Sequence, residues 1–221
     1  MSPDGHLESI YATRFDHAAE VRKLALWREI VHAIERLVPL GDAVLDLACD
    51  QGYFIRNVHA KERWATDLRD LSATFGADIG FVRANGLELA AAMGERRFDT
   101  VFMSNYLEHL PSSDAVLAQL RQASLVLRPG GRVVILQPNI RFTGAAYWDF
   151  IDHRTPLTER SLAEACEAVG LDVERVIPRF LPYTTKSRYP QRPALVRLYL
   201  RLPILWRIAG QQTLLVARRP G

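Results

Sequence analysis

Two of the six histidines in this chain, His109 and His153, follow a carboxylate in stretches that could carry chemistry. His109 follows Glu108 in the stretch Ser104 to Leu110 (SNYLEHL), and His153 follows Asp152 in the aromatic-rich stretch Tyr147 to His153 (YWDFIDH). Imidazole is the side chain best matched to proton transfer near neutral pH, so either histidine is a candidate general base for a hydroxyl nucleophile. Asp152 is placed to orient the His153 ring. Each has a plain structural alternative: His109 packed at the start of a loop with Glu108 paired elsewhere, and His153 among aromatics that are simply core. A third feature is the run Val44 to Gly52 (VLDLACDQG), in which an apolar stretch carrying Asp46 ends in a turn. The two cysteines, Cys49 and Cys166, lack CxxC or Cys/His ligand spacing, which argues against a zinc site or a disulfide framework and fits a reducing, cytoplasmic setting. No metal ligand set is expected.

These residues need elements to hold them. Apolar residues recur at helical spacing from Ala18 to Leu37, and Pro39 and Gly41 end that helix before a short buried strand, Ala43 to Ala48. The alternation then repeats. Helices are expected at about Tyr53 to Ala60, Leu68 to Phe75, Leu87 to Ala92 and Ser113 to Leu127, and strands at Arg63 to Thr66, Ile79 to Val82, Asp99 to Ser104 and Arg132 to Leu136. A helix capped by Thr158 or Ser161 runs to Ala168, with Gly170 at its C-terminal cap, and strands follow at Val173 to Ile177 and Thr213 to Ala217. Serial alternation of this kind predicts an α/β Rossmann-like fold: a seven-stranded, mostly parallel sheet with helices on both faces. In such sheets ligands bind beyond the carboxyl ends of the strands, which here are Leu47 to Gly52, Thr66 to Arg69, Arg83 to Gly86, Ser104 to His109 and Gln137 to Arg141.

At 221 residues the chain suits one domain: residues 1–40 as an N-terminal lid and helix, 41–137 as a binding core, and 138–221 as substrate-side elements with a helical insertion over 181–210. A net charge of only +3, spread along the chain, gives no nucleic-acid footprint. The N-terminus lacks a basic region followed by an apolar run, and no stretch is apolar enough to span a membrane, so neither secretion nor integral membrane insertion is expected. The region Pro190 to Gly210 alternates Leu195, Leu198, Tyr199, Leu202, Leu205 and Trp206 with Arg197, Arg201 and Arg207. It reads either as a surface helix packed on the sheet or as an interfacial helix, near 194–209, making peripheral contact with anionic lipid.

Val44 to Gly52, Asp67 ending the second strand, Phe98 with Asp99, SNYLEHL, and Leu127 to Arg132 (LRPGGR) occur in order at strand ends. Together they resemble the class I S-adenosylmethionine-dependent methyltransferases over roughly Tyr11 to Ala217. Gln137 to Arg141, Tyr147 to His153 and Phe180 to Lys186 further resemble bacterial members linked to glycan or surface-polysaccharide biosynthesis.

The resemblance implies S-adenosylmethionine as cofactor, methyl transfer at oxygen to a small-molecule or glycan acceptor, and a cofactor site formed by Tyr11, Arg14, Asp46, Ala48, Gly52, Asp67, Leu68, Asn85, Ser104 and Asn105. Asp67 would accept from both ribose hydroxyls. Arg14 would pair with the cofactor carboxylate, or else be a solvated helix-start arginine. Asn85 would accept from the adenine amino group, or simply make an Asn-Gly turn. Ala48 and Asp50 occupy positions where the family places glycine; Asp50 either points to solvent or caps the next helix, or weakens cofactor binding. That departure keeps open a methyltransferase-like scaffold serving as a partner subunit. A nicotinamide-dependent oxidoreductase is disfavoured because the first turn lacks GxGxxG spacing.

Overall fold

In a computed structural model, residues 17–183 and 192–221 are described. The elements run α1 (His17–Leu37), β1 (Ala43–Leu47), β2 (Glu62–Asp67), β3 (Gly80–Arg83), α2 (Leu89–Met93), β4 (Phe98–Ser104), α3 (Ser113–Val126), β5 (Leu127–Pro138), α4 (Ile140–Thr143), α5 (Glu159–Ala168), β6 (Asp172–Leu181), α6 (Pro193–Arg201), α7 (Pro203–Ala209) and β7 (Gln212–Arg218). They build one seven-stranded sheet in the order β3-β2-β1-β4-β5-β7-β6, in which β7 alone runs against the others. Among the described residues no helix is long and apolar enough to cross a membrane.

The period-two alternation of strand side chains divides the core between the sheet faces. Val133 and Ile135 of β5 join Leu45, Leu120 of α3 and Leu162 of α5 on one face, while Val134 and Leu136 join Ile34 of α1, Phe102 and Leu200 of α6 on the other. Phe54 stacks on Phe102 with ring centroids 3.6 Å apart. The Thr158 hydroxyl accepts from the Ser161 amide and the Ser161 hydroxyl from the Thr158 amide, so both residues expected as alternatives act together in one capping box.

Two expected helices are replaced by turns. From Tyr53 to Ala60 the chain makes little more than one helical turn: the Asn57 side chain donates to the Tyr53 carbonyl at 2.8 Å, the acceptor its own amide would have used, and that amide bonds Phe54 instead. Between Leu68 and Phe75 only a short 3₁₀ turn, Ser72–Thr74, forms. There Asp67 accepts from the Arg69 amide and Asp70 from the Ser72 amide, local bonds that compete with a helix. In the described part of the insertion between the last strands, from residue 192 on, the chain is helical as expected, in two pieces broken by Pro203. Arg197 of α6 makes a bidentate ion pair with Glu29 of α1, at 2.6 and 2.8 Å.

Asp99 fastens the edge of the sheet remote from the strand carboxyl ends. Its Oδ2 accepts from the Asp42 and Ala43 amides, both at 2.9 Å, and its Oδ1 pairs with Arg128 at 2.7 Å. Desolvation pushes this carboxyl up, but the Ala43 amide, Arg128 and the Asp42 amide outweigh it and hold the group below the ordinary carboxylate range. A carboxyl depressed in the fold contributes stability above its unfolded pKa, about 3.9 for aspartate, and loses it as pH falls through the folded value. Asp99→Asn is therefore expected to melt lower than wild type at pH 7 and to lose less melting temperature below about pH 4. Thermal melts across pH 3–7 check this; identical acid limbs would refute it.

Candidate active site

The carboxyl ends of β1, β2 and β4 and the residues after β3 open into a single cavity of about 1300 Å³. Its wall brings together eight of the expected residues: Asp46, Ala48, Asp67, Leu68, Asn85, Ser104, Asn105 and His109. Leu195, Tyr199 and Ile208 of the α6–α7 insertion complete it. Tyr11 and Arg14 lie outside the described residues. Gly52 does not line the cavity; at φ +65° it makes the turn, and a Cβ there would collide with the Phe75 ring. His153 does not line it either, but sits behind His109 with ring centroids 5.1 Å apart.

Ala48 (φ 56°), Asp50 (φ 49°) and Asn105 (φ 47°) hold the left-handed backbone that ordinarily calls for glycine. Asp50 neither caps a helix nor simply faces solvent. Its Oδ1 accepts from Arg69 Nη2 at 2.8 Å, and its amide donates to Asp67 Oδ2 at 3.1 Å. The same guanidinium reaches Asp67 through Nε (3.0 Å) and Nη2 (3.1 Å), so one cation lies between two carboxylates and offsets the charge that Asp50 introduces. Sequence reasoning missed Arg69; its place two residues after the acid that ends β2 is the signal. With the Arg69 amide also on Oδ1 at 3.0 Å, Asp67 accepts four hydrogen bonds, about as many as a carboxylate offers. A diol binding there must displace the guanidinium.

Asp46 is buried beneath the turn, where burial lifts its carboxyl well above the ordinary range against a hydrogen bond from the Ile55 amide at 3.3 Å. Asn85 makes the local turn, its Oδ1 accepting from the Leu87 amide at 3.0 Å to cap a 3₁₀ turn, and the residue also lines the cavity. Tyr106, also on the wall, donates to Gln119 at 2.7 Å, and Gln119 donates to the Gly86 carbonyl at 3.1 Å, a brace the sequence did not suggest.

Asp152 orients His109 and not His153. His109 Nδ1 lies 3.1 Å from the Asp152 carbonyl oxygen and 3.5 Å from its Oδ2. Glu108 is buried and accepts from Gln137 Nε2 at 2.9 Å, while its backbone carbonyl accepts from the Arg154 (2.8 Å) and Thr155 (3.0 Å) amides. Those two bonds carry His153 up against Glu108 and His109. The aromatics divide: Tyr147 is fully buried with its hydroxyl on the Thr155 carbonyl at 2.7 Å, and Trp148 is exposed.

A family model described as a methyltransferase domain matches residues 15–176, from α1 into β6. The chain belongs to this methyltransferase family. No curated protein matches it in sequence. Among solved structures, this methyltransferase is similar to a SAM-dependent methyltransferase from Archaeoglobus fulgidus, at 18% identity and TM-score 0.61, over 87% of this chain and 94% of that one. It is likewise similar to an S-adenosylmethionine-dependent methyltransferase from Mesorhizobium loti, at 20% identity and TM-score 0.61, over 87% and 98% of the two chains. The N-methyltransferase NodS from Bradyrhizobium japonicum, solved in complex with S-adenosyl-L-homocysteine, shares 13% identity at TM-score 0.59 over 88% and 86%.

A left-handed alanine costs about 1–2 kcal/mol that glycine avoids, offset in part by the greater freedom of glycine in the unfolded chain. Ala48→Gly is therefore expected to stabilise the methyltransferase by about 1 kcal/mol, raising the melting temperature by roughly 2–4 °C. Scanning calorimetry decides it, and a lower melting temperature would contradict the strained turn.

Proposed function

We propose that this methyltransferase moves a methyl group from S-adenosylmethionine to a hydroxyl of a small-molecule or glycan acceptor. The observation behind the reading is the convergence of Ala48, Asp67, Asn85, Ser104 and His109 on one cavity of about 1300 Å³. That volume exceeds the roughly 300–1,000 Å³ of a single-ligand pocket, as cofactor and acceptor together require. Tyr53, on the same wall, has a buried hydroxyl without a partner among the described residues, a polar atom awaiting a ligand. The donor set fits the cofactor.

The cofactor supplies an electrophilic methyl carbon on a sulfonium; the protein holds the nucleophile in line with it in a dry pocket. In this reading Asp67 receives the ribose hydroxyls once Arg69 swings aside, the Ala48 to Asp50 backbone borders the methionine portion, and Asn85 meets the adenine. Ser104 and Asn105 floor the pocket. His109 activates the acceptor: a carbonyl can only accept, so the Asp152 carbonyl fixes the proton on Nδ1 and leaves the lone pair on Nε2. His153 backs the His109 ring and does not itself meet the acceptor. The Arg69 ion pair removes the charge on which a cofactor-less scaffold rested. Calorimetric titration with S-adenosylmethionine and S-adenosylhomocysteine tests the assignment. Asp67→Ala is expected to weaken both by on the order of 100-fold or more, since two hydrogen bonds to a charged group are worth about 1.5–3 kcal/mol each. No binding to the folded wild type would restore the scaffold reading.

Peripheral lipid contact has its own support. Leu198 and Ile204 are exposed on the two insertion helices and Leu202 between them, with Arg201 and Arg207 also exposed. Co-sedimentation with phosphatidylglycerol vesicles is expected; recovery of all the protein in the supernatant would refute membrane contact.

A further inference from the structure

We infer that Glu108, His109 and His153 form a site for one divalent transition-metal ion at the wall of the cavity. One ligand atom from each of the three lies within 4.8 Å of the others. Two of these side chains are buried with an atom that has no hydrogen-bond partner among the described residues: Glu108 Oε1, in a residue 1% exposed, and His153 Nδ1, in a residue 7% exposed. Leaving such atoms unpaired costs about 1–3 kcal/mol each, more for a charged group, so two of them within one three-residue cluster indicate a ligand.

The geometry selects an ion over a direct bond. Glu108 Oε1 and His109 Nε2 are 3.9 Å apart, too far for a hydrogen bond but within the reach of a cation held at about 2.1 Å from each. Donors around a tetrahedral ion sit about 3.4 Å apart, so closing the set asks for side-chain shifts of order 1 Å. The surrounding bonds hold the ligands as metal sites require: the Asp152 carbonyl fixes the His109 tautomer, and Gln137 orients the Glu108 carboxylate through its other oxygen. The Glu108 carbonyl pins Arg154 and Thr155, and with them His153. Two imidazoles and one carboxylate favour zinc, cobalt or a similar ion over magnesium or calcium. Because His109 lines the cavity, the remaining coordination positions would face it, and a hydroxyl binding there would lose its proton more readily. That use of the ion rests on the methyl-transfer reading, and with the ion bound it takes over from His109 as the activating group, because a coordinated Nε2 has no lone pair left for a proton; the site itself does not depend on it.

The test is a Co²⁺ titration of the full chain, stripped with chelator, followed by visible d–d absorption without cofactor or acceptor. Wild type is expected to saturate at one equivalent, to gain melting temperature with Zn²⁺, and to lose both effects with chelator. Glu108→Gln and His153→Gln, shape-conserving changes, are expected to weaken Co²⁺ by more than about 100-fold. Should a variant fail to fold, the wild-type spectrum and Zn²⁺ melting shift decide alone. Absence of d–d bands in the wild type, or variants that titrate as wild type does, overturns the site. Failure of S-adenosylmethionine to bind would bear only on the methyl-transfer reading, because the metal titration contains none.

Discussion

A sheet whose crossovers all pass over its faces has one edge where loops converge, the carboxyl ends of its strands, and this molecule places its polar chemistry there. The opposite edge is sewn shut by Asp99, which accepts the Asp42 and Ala43 amides where β1 begins and pairs with Arg128 at the start of β5. Apolar residues alternate to the two faces, leaving the inner strands dry throughout. The polar residues of the cavity wall that end or follow β1, β2 and β4 therefore hang from strands fastened at the far end.

Charge at the near edge is balanced locally. Asp46, Asp50 and Asp67 lie close enough that the latter two help raise the first, and Arg69 is the cation that makes the arrangement tolerable. Aspartate in the left-handed turn introduces both backbone strain and a negative charge where glycine would introduce neither. The ion pair with Arg69 offsets the charge but not the strain.

Much of this was legible in the residues. Buried strands announced themselves as apolar runs, and acids and glycines at strand ends located the cavity, because those features depend on local pattern. The turns at Tyr53 to Ala60 and Leu68 to Phe75 were misread as helices because Asn57, Asp67 and Asp70 divert backbone groups in ways that apolar periodicity does not register. The partner of Asp152 was misassigned for a related reason: adjacency suggested His153, whereas the loop folds back so that Asp152 meets a residue 43 positions earlier. Nor did spacing suggest that Glu108 and His153 share a buried corner, since only the paired amides of Arg154 and Thr155 bring them together.

The insertion between β6 and β7 leaves the sheet and returns to it at one neck. Leu181 pairs with Gln212, and Arg179 reaches back to the Gly210 and Ile208 carbonyls at 2.8 and 2.9 Å. Closing a loop at a fixed neck grows more costly only as the logarithm of its length. The wall that these helices build is thus set on the sheet at a single crossing, and its length is only weakly constrained by the closure of that neck.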